Sequence, residues 1–215
     1  MSYTPAKAIV PKKFFRGYVS ADFFTVTNFT PPTANGPGSD IYLDAESPDA
    51  GMVSNSILCG DANFTGYTGT YNGNGRELGL YGDLTLGAGM TFDENENNSF
   101  AMYADCKLTS NGKLIAGGVY AGPNDLTVTL VDTLTISYFD MATPSASTLD
   151  FGGNEIHAQN VGDGNPFDSF GGFNNTTLVN TAGAKLVVNT VDSGGSIQVG
   201  GVIGAFPPTE IYSTG

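Results

Sequence analysis

Leu78, Leu80, Leu84, Leu86, Met90 and Phe92 all fall on even-numbered positions, and so do Phe100, Met102, Ala104, Cys106 and Leu108. Side chains on a strand point alternately to opposite faces, so an apolar residue at every second position marks a strand with one buried side. The same alternation runs through 126–138. There Leu126, Val128, Leu130, Leu134, Ile136 and Tyr138 are interleaved with Thr127, Thr129, Thr133, Thr135 and Ser137. This fits one long strand, or two strands meeting at Asp132. No stretch shows a 3.6-residue period, and the expected helix content is below about one-tenth.

Between the strands the punctuation is Gly, Asn and Pro. Asn111-Gly112 is the signal for a type I′ turn, in which both central residues take positive φ. A hairpin there would set Leu108 against Ile115 and Thr109 against Leu114. Even positions before the turn would then share a face with Ile115, Gly117 and Val119 after it, so register and hydrophobic phase agree. A second hairpin is expected around Ser193-Gly194-Gly195, from Leu186 and Val188 to Ile197 and Val199.

Three segments look alike: Leu108…Gly112…Leu114, Leu149…Gly152…Ile156 and Leu178…Gly183…Leu186. Their leucine-to-aliphatic spacings are six, seven and eight residues, whereas a regular solenoid should hold its period better. The expected fold is therefore all-β, a β-sandwich or jelly-roll-like body with an extended N-terminal arm. A β-helix or solenoid is the alternative.

The arm is set apart by charge. Lys7, Lys12, Lys13 and Arg16 precede the first acid, Asp22, and all 21 carboxylates follow. The first sixteen residues carry +4, and the rest, with four bases left, carries −17. Residues 1–17 read as an extended basic arm. Residues 18–215 read as an all-β body, with a possible division near 140–148. Phe14-Phe15 would be a liability on a free tail. Lys12, Lys13, Phe14, Phe15 and Arg16 are accordingly the candidate partner-binding residues.

Charge and motif also bound the function. A net charge of −13 disfavours nucleic acid, whose phosphates it would repel. No stretch approaches the ~18 apolar residues of a membrane span, and residues 1–16 lack the apolar core of a secretory signal. His157 is the single histidine. No Gly-x-Ser-x-Gly elbow accompanies it, and a turn-proximal structural role is expected for it. Cys59, Cys106 and His157 lack metal-site spacing, and Cys106 sits in the apolar phase of its strand, as a reduced core thiol would. Asp93, Glu94 and Glu96, or Asp163 and Asp168, would offer calcium hard oxygens, but neither group has EF-hand spacing. Solvated charged loops are the expectation there. Glycoside cleavage needs two acids across a cleft. Asp132, Asp140, Asp150 and Glu155 are available, but no Trp is present as a sugar platform. Tyr can substitute for it. The expectation is a non-enzyme, with no catalytic residue, cofactor or metal.

Leu149-Asp150, Gly153-Asn154 and Ile156, within Thr148–Val161, resemble the Leu-Asp-x-x-Gly-Asn-x-Ile stretches of phage tail-fibre proteins. Low charge with abundant Gly, Asn and Thr is likewise similar to bacteriophage virion structural proteins. The resemblance implies a structural protein of a viral particle, located in the virion. Most directly it implies a capsid decoration or cement protein, attached through its N-terminal arm to the major capsid protein or another virion protein, and assembled as a homotrimer. The alternative it implies is a tail or head appendage, a fibre or spike, that binds host surface glycan. A glycan depolymerase is a third reading.

Overall fold

The computed structural model describes residues 13–15, 29–30, 37–51, 56–93, 99–122, 125–141, 146–159, 173, 175–190 and 204–213. Among the described residues every regular element is a strand, twenty in all, and none is a helix.

The strands sort into three sheets. The first contains β1 (Lys13–Phe15), β2 (Phe29–Thr30), β3 (Ile41–Tyr42), β6 (Ala62–Asn63), β9 (Leu84–Thr85), β12 (Cys106–Thr109), β14 (Thr127–Leu130), β16 (Thr148–Asp150) and β18 (Thr177–Val179). The second contains β4 (Ala50–Gly51), β7 (Thr70–Asn72) and β10 (Thr91–Phe92). The third contains β5 (Ile57–Cys59), β8 (Glu77–Leu80), β11 (Ser99–Met102), β13 (Leu114–Ala121), β15 (Leu134–Asp140), β17 (Glu155–Gln159), β19 (Lys185–Thr190) and β20 (Thr209–Ser213). The chain visits them in rotation. Among the described residues each coil from β3 to β11 has strands on three sides, and each from β12 to β19 has strands on two. Among the described strands only β1 and β2 pair antiparallel, and every other ladder is parallel. Parallel strands that stack once per coil define a β-solenoid.

The architecture is thus the alternative reading, and the sandwich or jelly-roll expectation is corrected. The Asn111-Gly112 turn forms: Asn111 has φ 50°, Gly112 has φ 74°, and Lys113 N donates to Ser110 O at 3.1 Å. It does not close a hairpin. β12 pairs with β9 and β14, whereas β13 pairs with β11 and β15, so the turn passes the chain from the first sheet to the third. A type I′ turn reverses a strand only when the two arms bond to each other. Here each arm finds a better partner one coil away, in the same phase. The segments at 127–130 and 134–140 are two strands, as the Asp132 break allowed. The second expected hairpin falls largely outside the described residues, but both edges of β19 are taken by parallel neighbours, β17 and β20.

Coil length explains why the repeat was hidden. Ile41 pairs with Ala62, Ala62 with Leu84, Leu84 with Leu108 and Leu108 with Leu130, giving coils of 21, 22, 24 and 22 residues. Leu149 pairs with Leu178, 29 residues on, and Ile156 with Leu186, 30 on. The turns at 152 and 183 do stack, since Gly153 N donates to Asn180 O. A turn absorbs one or two extra residues at little cost, while the strands on either side keep their register.

The even phase at 78–108 is the inside, and register carries the same face into odd positions on neighbouring coils. Ile57, Leu78, Phe100, Val119 and Phe139 form one interior column, and Ala62, Leu84, Leu108 and Leu130 another. All are buried. Cys59 and Cys106 are buried free thiols, and burial pushes the Cys106 pKa up to about 12. Aspartates bind the coils at the corner leading into the first sheet. Oδ1 of Asp40, Asp61, Asp83, Asp105 and Asp125 accepts the backbone N–H of Asp61, Asp83, Lys107, Thr127 and Ala146, respectively, at 2.7–3.0 Å. Many of the acids are therefore structural links between coils. The glycines before two of them leave room for this, because a Cβ on Gly60 or Gly82 would collide with the carboxylate of Asp40 or Asp61.

The Asn111-Gly112 turn offers a direct test. Asp132 accepts the N–H groups of Ser110 and Asn111 at 2.7 and 2.6 Å, and Asn111 Nδ2 donates to Leu86 O, so the turn is held in place. Nothing lies within 4 Å of a Cβ added at Gly112. The cost of Gly112→Val is then purely conformational, roughly 1–3 kcal/mol for a β-branched residue at positive φ. It should appear as a lower denaturation midpoint at unchanged slope. An unaltered midpoint would contradict the turn geometry.

Candidate functional site

On β8 and β11 the odd positions face outward, and the outward face of the third sheet carries tyrosines in these coils where a solvated strand would carry Thr or Ser. Tyr81 follows β8 and Tyr103 follows β11, and they occupy one column: Tyr81 N donates to Cys59 O, Tyr103 N to Leu80 O and Gly122 N to Met102 O. The two rings are near-parallel, with centroids 5.5 Å apart and planes 15° apart. The offset-parallel arrangement suits the ring quadrupoles.

Small residues make the floor. Ala101, outward between Phe100 and Met102, is fully buried, and Gly79, its register partner, is buried too. A Cβ on Gly79 would come within 2.9 Å of Tyr103 Cε2, and one on Gly122 within 2.8 Å of Tyr103 Cδ1. The Tyr103 ring is seated between these two glycines and reaches across the sheet towards Glu77. There its hydroxyl donates to Glu77 Oε1 at 2.8 Å. Tyr120, one coil further, donates to Glu77 Oε2 at 2.5 Å. One carboxylate thus fixes two phenols from two coils. Burial, then the Glu77 hydrogen bond and charge, push the Tyr103 pKa up to about 12, and burial with Glu77 raises Tyr120 as well. Both stay neutral donors at physiological pH. Leu58 and Tyr81 remain 40% and 37% exposed, so the strip opens to solvent. The strip is a fixed apolar surface with polar atoms at its edge, where the Tyr103 and Tyr120 phenols share the one carboxylate of Glu77.

A second outward group lies on later coils of the same sheet. Glu155 and His157 are in contact at 2.6 Å, Lys185 Nζ meets Glu210 Oε1 at 2.7 Å, and Tyr212 donates to Glu210 Oε2 at 2.7 Å. His157 is held by a neighbouring carboxylate two residues away, on an open strand face. Among the described residues no three His, Cys, Asp or Glu side chains are grouped to hold a metal ion. Asp93, from the first calcium candidate, accepts from Asn72 Nδ2 at 2.9 Å, and Glu94, Glu96, Asp163 and Asp168 lie outside the described residues.

Of the candidate partner-binding residues, Lys12 and Arg16 lie outside the described residues, and Lys13 is described only as backbone in β1. Phe15 is fully buried within this chain, and its carbonyl accepts from Ser47 Oγ at 2.9 Å. Phe14 is half-buried, its ring centroid 5.3 Å from that of Tyr42. Part of the expected arm is thus a strand of the solenoid, paired with β2 and β3. The tyrosine strip was missed from sequence, although a signal existed. Tyr81 and Tyr103 are odd-numbered aromatics in an even-phase strand region, one coil apart.

Fold and site together define a short β-solenoid with an aromatic strip on its outer face. Searches of family models, curated proteins and solved structures return no match to this chain.

Proposed function

We propose that this protein is a non-enzymatic adhesive element of a phage particle, an appendage of the fibre or spike kind that binds host surface glycan. The observation that supports it most is the Tyr81–Tyr103 pair with Tyr120 and Glu77. Aromatic faces take the apolar C–H faces of sugar rings, and the carboxylate and phenols accept and donate hydrogen bonds to sugar hydroxyls. A solenoid also suits display, because its long outer sheet presents a ligand strip running across successive coils. In this reading the basic segment with Lys12, Lys13 and Arg16 contacts another virion protein, and the copies assemble as a homotrimer. The capsid-cement role draws less support, since Phe15, one of its two aromatic anchors, is spent in this chain's own core.

The test is adhesion of the purified chain to host envelopes and to immobilised surface polysaccharide. Tyr81→Ala combined with Tyr103→Ala should weaken binding by at least about tenfold, equal to about 1.4 kcal/mol, with the β spectrum unchanged. Equal adhesion by the double variant would remove the strip from the reading.

A further inference from the structure

The tyrosine strip is bordered by negative charge on both sides, and this narrows the ligand. On one side Glu77 closes the strip. On the other, the aspartate corner follows the tyrosine column two residues later, as Tyr81-Gly82-Asp83 and Tyr103-Ala104-Asp105. Asp61 precedes them one coil earlier and bonds to Asp83 N. Asp83 and Asp105 are exposed, and each commits Oδ1 to a backbone N–H of the next coil. The carboxylates are therefore held in a fixed row at that corner, two residues beyond the tyrosine column. The nearest cations in sequence are Arg76, in the turn before β8, and Lys107, in β12 of the first sheet, whose backbone N–H is the one Asp83 accepts. The chain beyond residue 16 carries −17 overall, so the long-range field has the same sign.

We propose that the strip selects a glycan bearing free, protonated amines, a hexosamine polymer, and rejects acidic polysaccharide. This rests on the glycan reading above and specifies its substrate class. A sugar ring seated on Tyr81 and Tyr103 places its substituents towards Glu77 on one side and Asp83 and Asp105 on the other. An ammonium there gains from the carboxylates and from the aromatic faces. A uronate would meet three fixed carboxylates. A neutral N-acetyl sugar keeps the ring contact alone and should fall between the two.

The experiment compares oligosaccharides of one length: chitosan with free amines, its fully N-acetylated counterpart, and an oligouronate. Binding is measured calorimetrically to the full chain at low and high salt. The wild type should bind them in that order, with the amine preference shrinking at high salt. Asp61→Asn, Asp83→Asn and Asp105→Asn together keep the amide oxygens that hold the coils and remove the charge. This variant should lose about tenfold on chitosan and little on the N-acetylated oligomer. The Tyr81→Ala, Tyr103→Ala variant should lose binding of all classes, which separates the site from diffuse attraction of a polycation to an acidic protein. Three results would overturn the amine preference alone: tyrosine-dependent binding that favours the uronate, a chitosan preference that survives the asparagine variant, or one that survives the alanine variant. Absence of tyrosine-dependent binding by every oligomer would overturn the glycan reading itself.

Discussion

Phe100→Ala should be among the most damaging single truncations in this protein, lowering stability by about 3–5 kcal/mol. Phe100 is fully buried in β11, between Leu78 of the previous coil and Val119 of the next. Its ring lies 6.0 Å from Tyr71, nearly parallel, and 6.3 Å from Phe92, edge-on. It therefore joins the second and third sheets where the coils are three-sided. A solenoid cannot spread such a loss, because each coil rests only on its two neighbours. The cavity would sit at an interface between coils and weaken both contacts. Urea unfolding should show a markedly lower midpoint, while Phe100→Leu, which fills most of the space, should cost less than half as much. A truncation that left the midpoint within error would show that the interior column does not carry the coil stack.

Gly87→Val should destabilise by about 3 kcal/mol or more, or prevent accumulation of folded chain, for a reason opposite to that at Gly112. Gly87 does not adopt a positive φ. Its constraint is space, since an added Cβ would run into the carbonyl oxygen of Phe64 and lie 2.8 Å from that of Tyr67. Those atoms cannot yield easily. Phe64 N donates to Thr85 O, and Tyr67 N donates back to Phe64 O at 3.0 Å, so the preceding corner is pinned to the same coil. Inserting a side chain must push two coils apart where parallel hydrogen bonds hold them together. Gly112→Val relieves itself by local distortion of an exposed turn, whereas Gly87→Val has no such outlet. Thermal unfolding of the two variants side by side should rank them in that order, and the reverse order would mean that conformational strain outweighs close packing here.

Local physics was legible in the residues. The period-two phase at 78–108 identified the buried face of every strand it touched, and Asn111-Gly112 announced positive φ at both positions. These follow from the geometry of one strand and one turn. Partner choice did not follow, because the alternation that satisfies an antiparallel hairpin also satisfies a strand stacked one coil away. Only the closing of the coil decides between them, through hydrogen bonds spanning 21 to 24 residues. The similar segments at 108, 149 and 178 have uneven spacing because the turns between strands differ in length, while the strands themselves keep one register. The candidate site was less legible still. Tyr81, Tyr103 and Tyr120 are seventeen to twenty-two residues apart in the chain, and only the stacking of coils sets them side by side with Glu77. The sequence alone determined which side chains face in and where the chain bends. The tertiary structure decided which strands meet, and with that which outward residues become one surface, since adjacency between coils depends on register and not on any local preference.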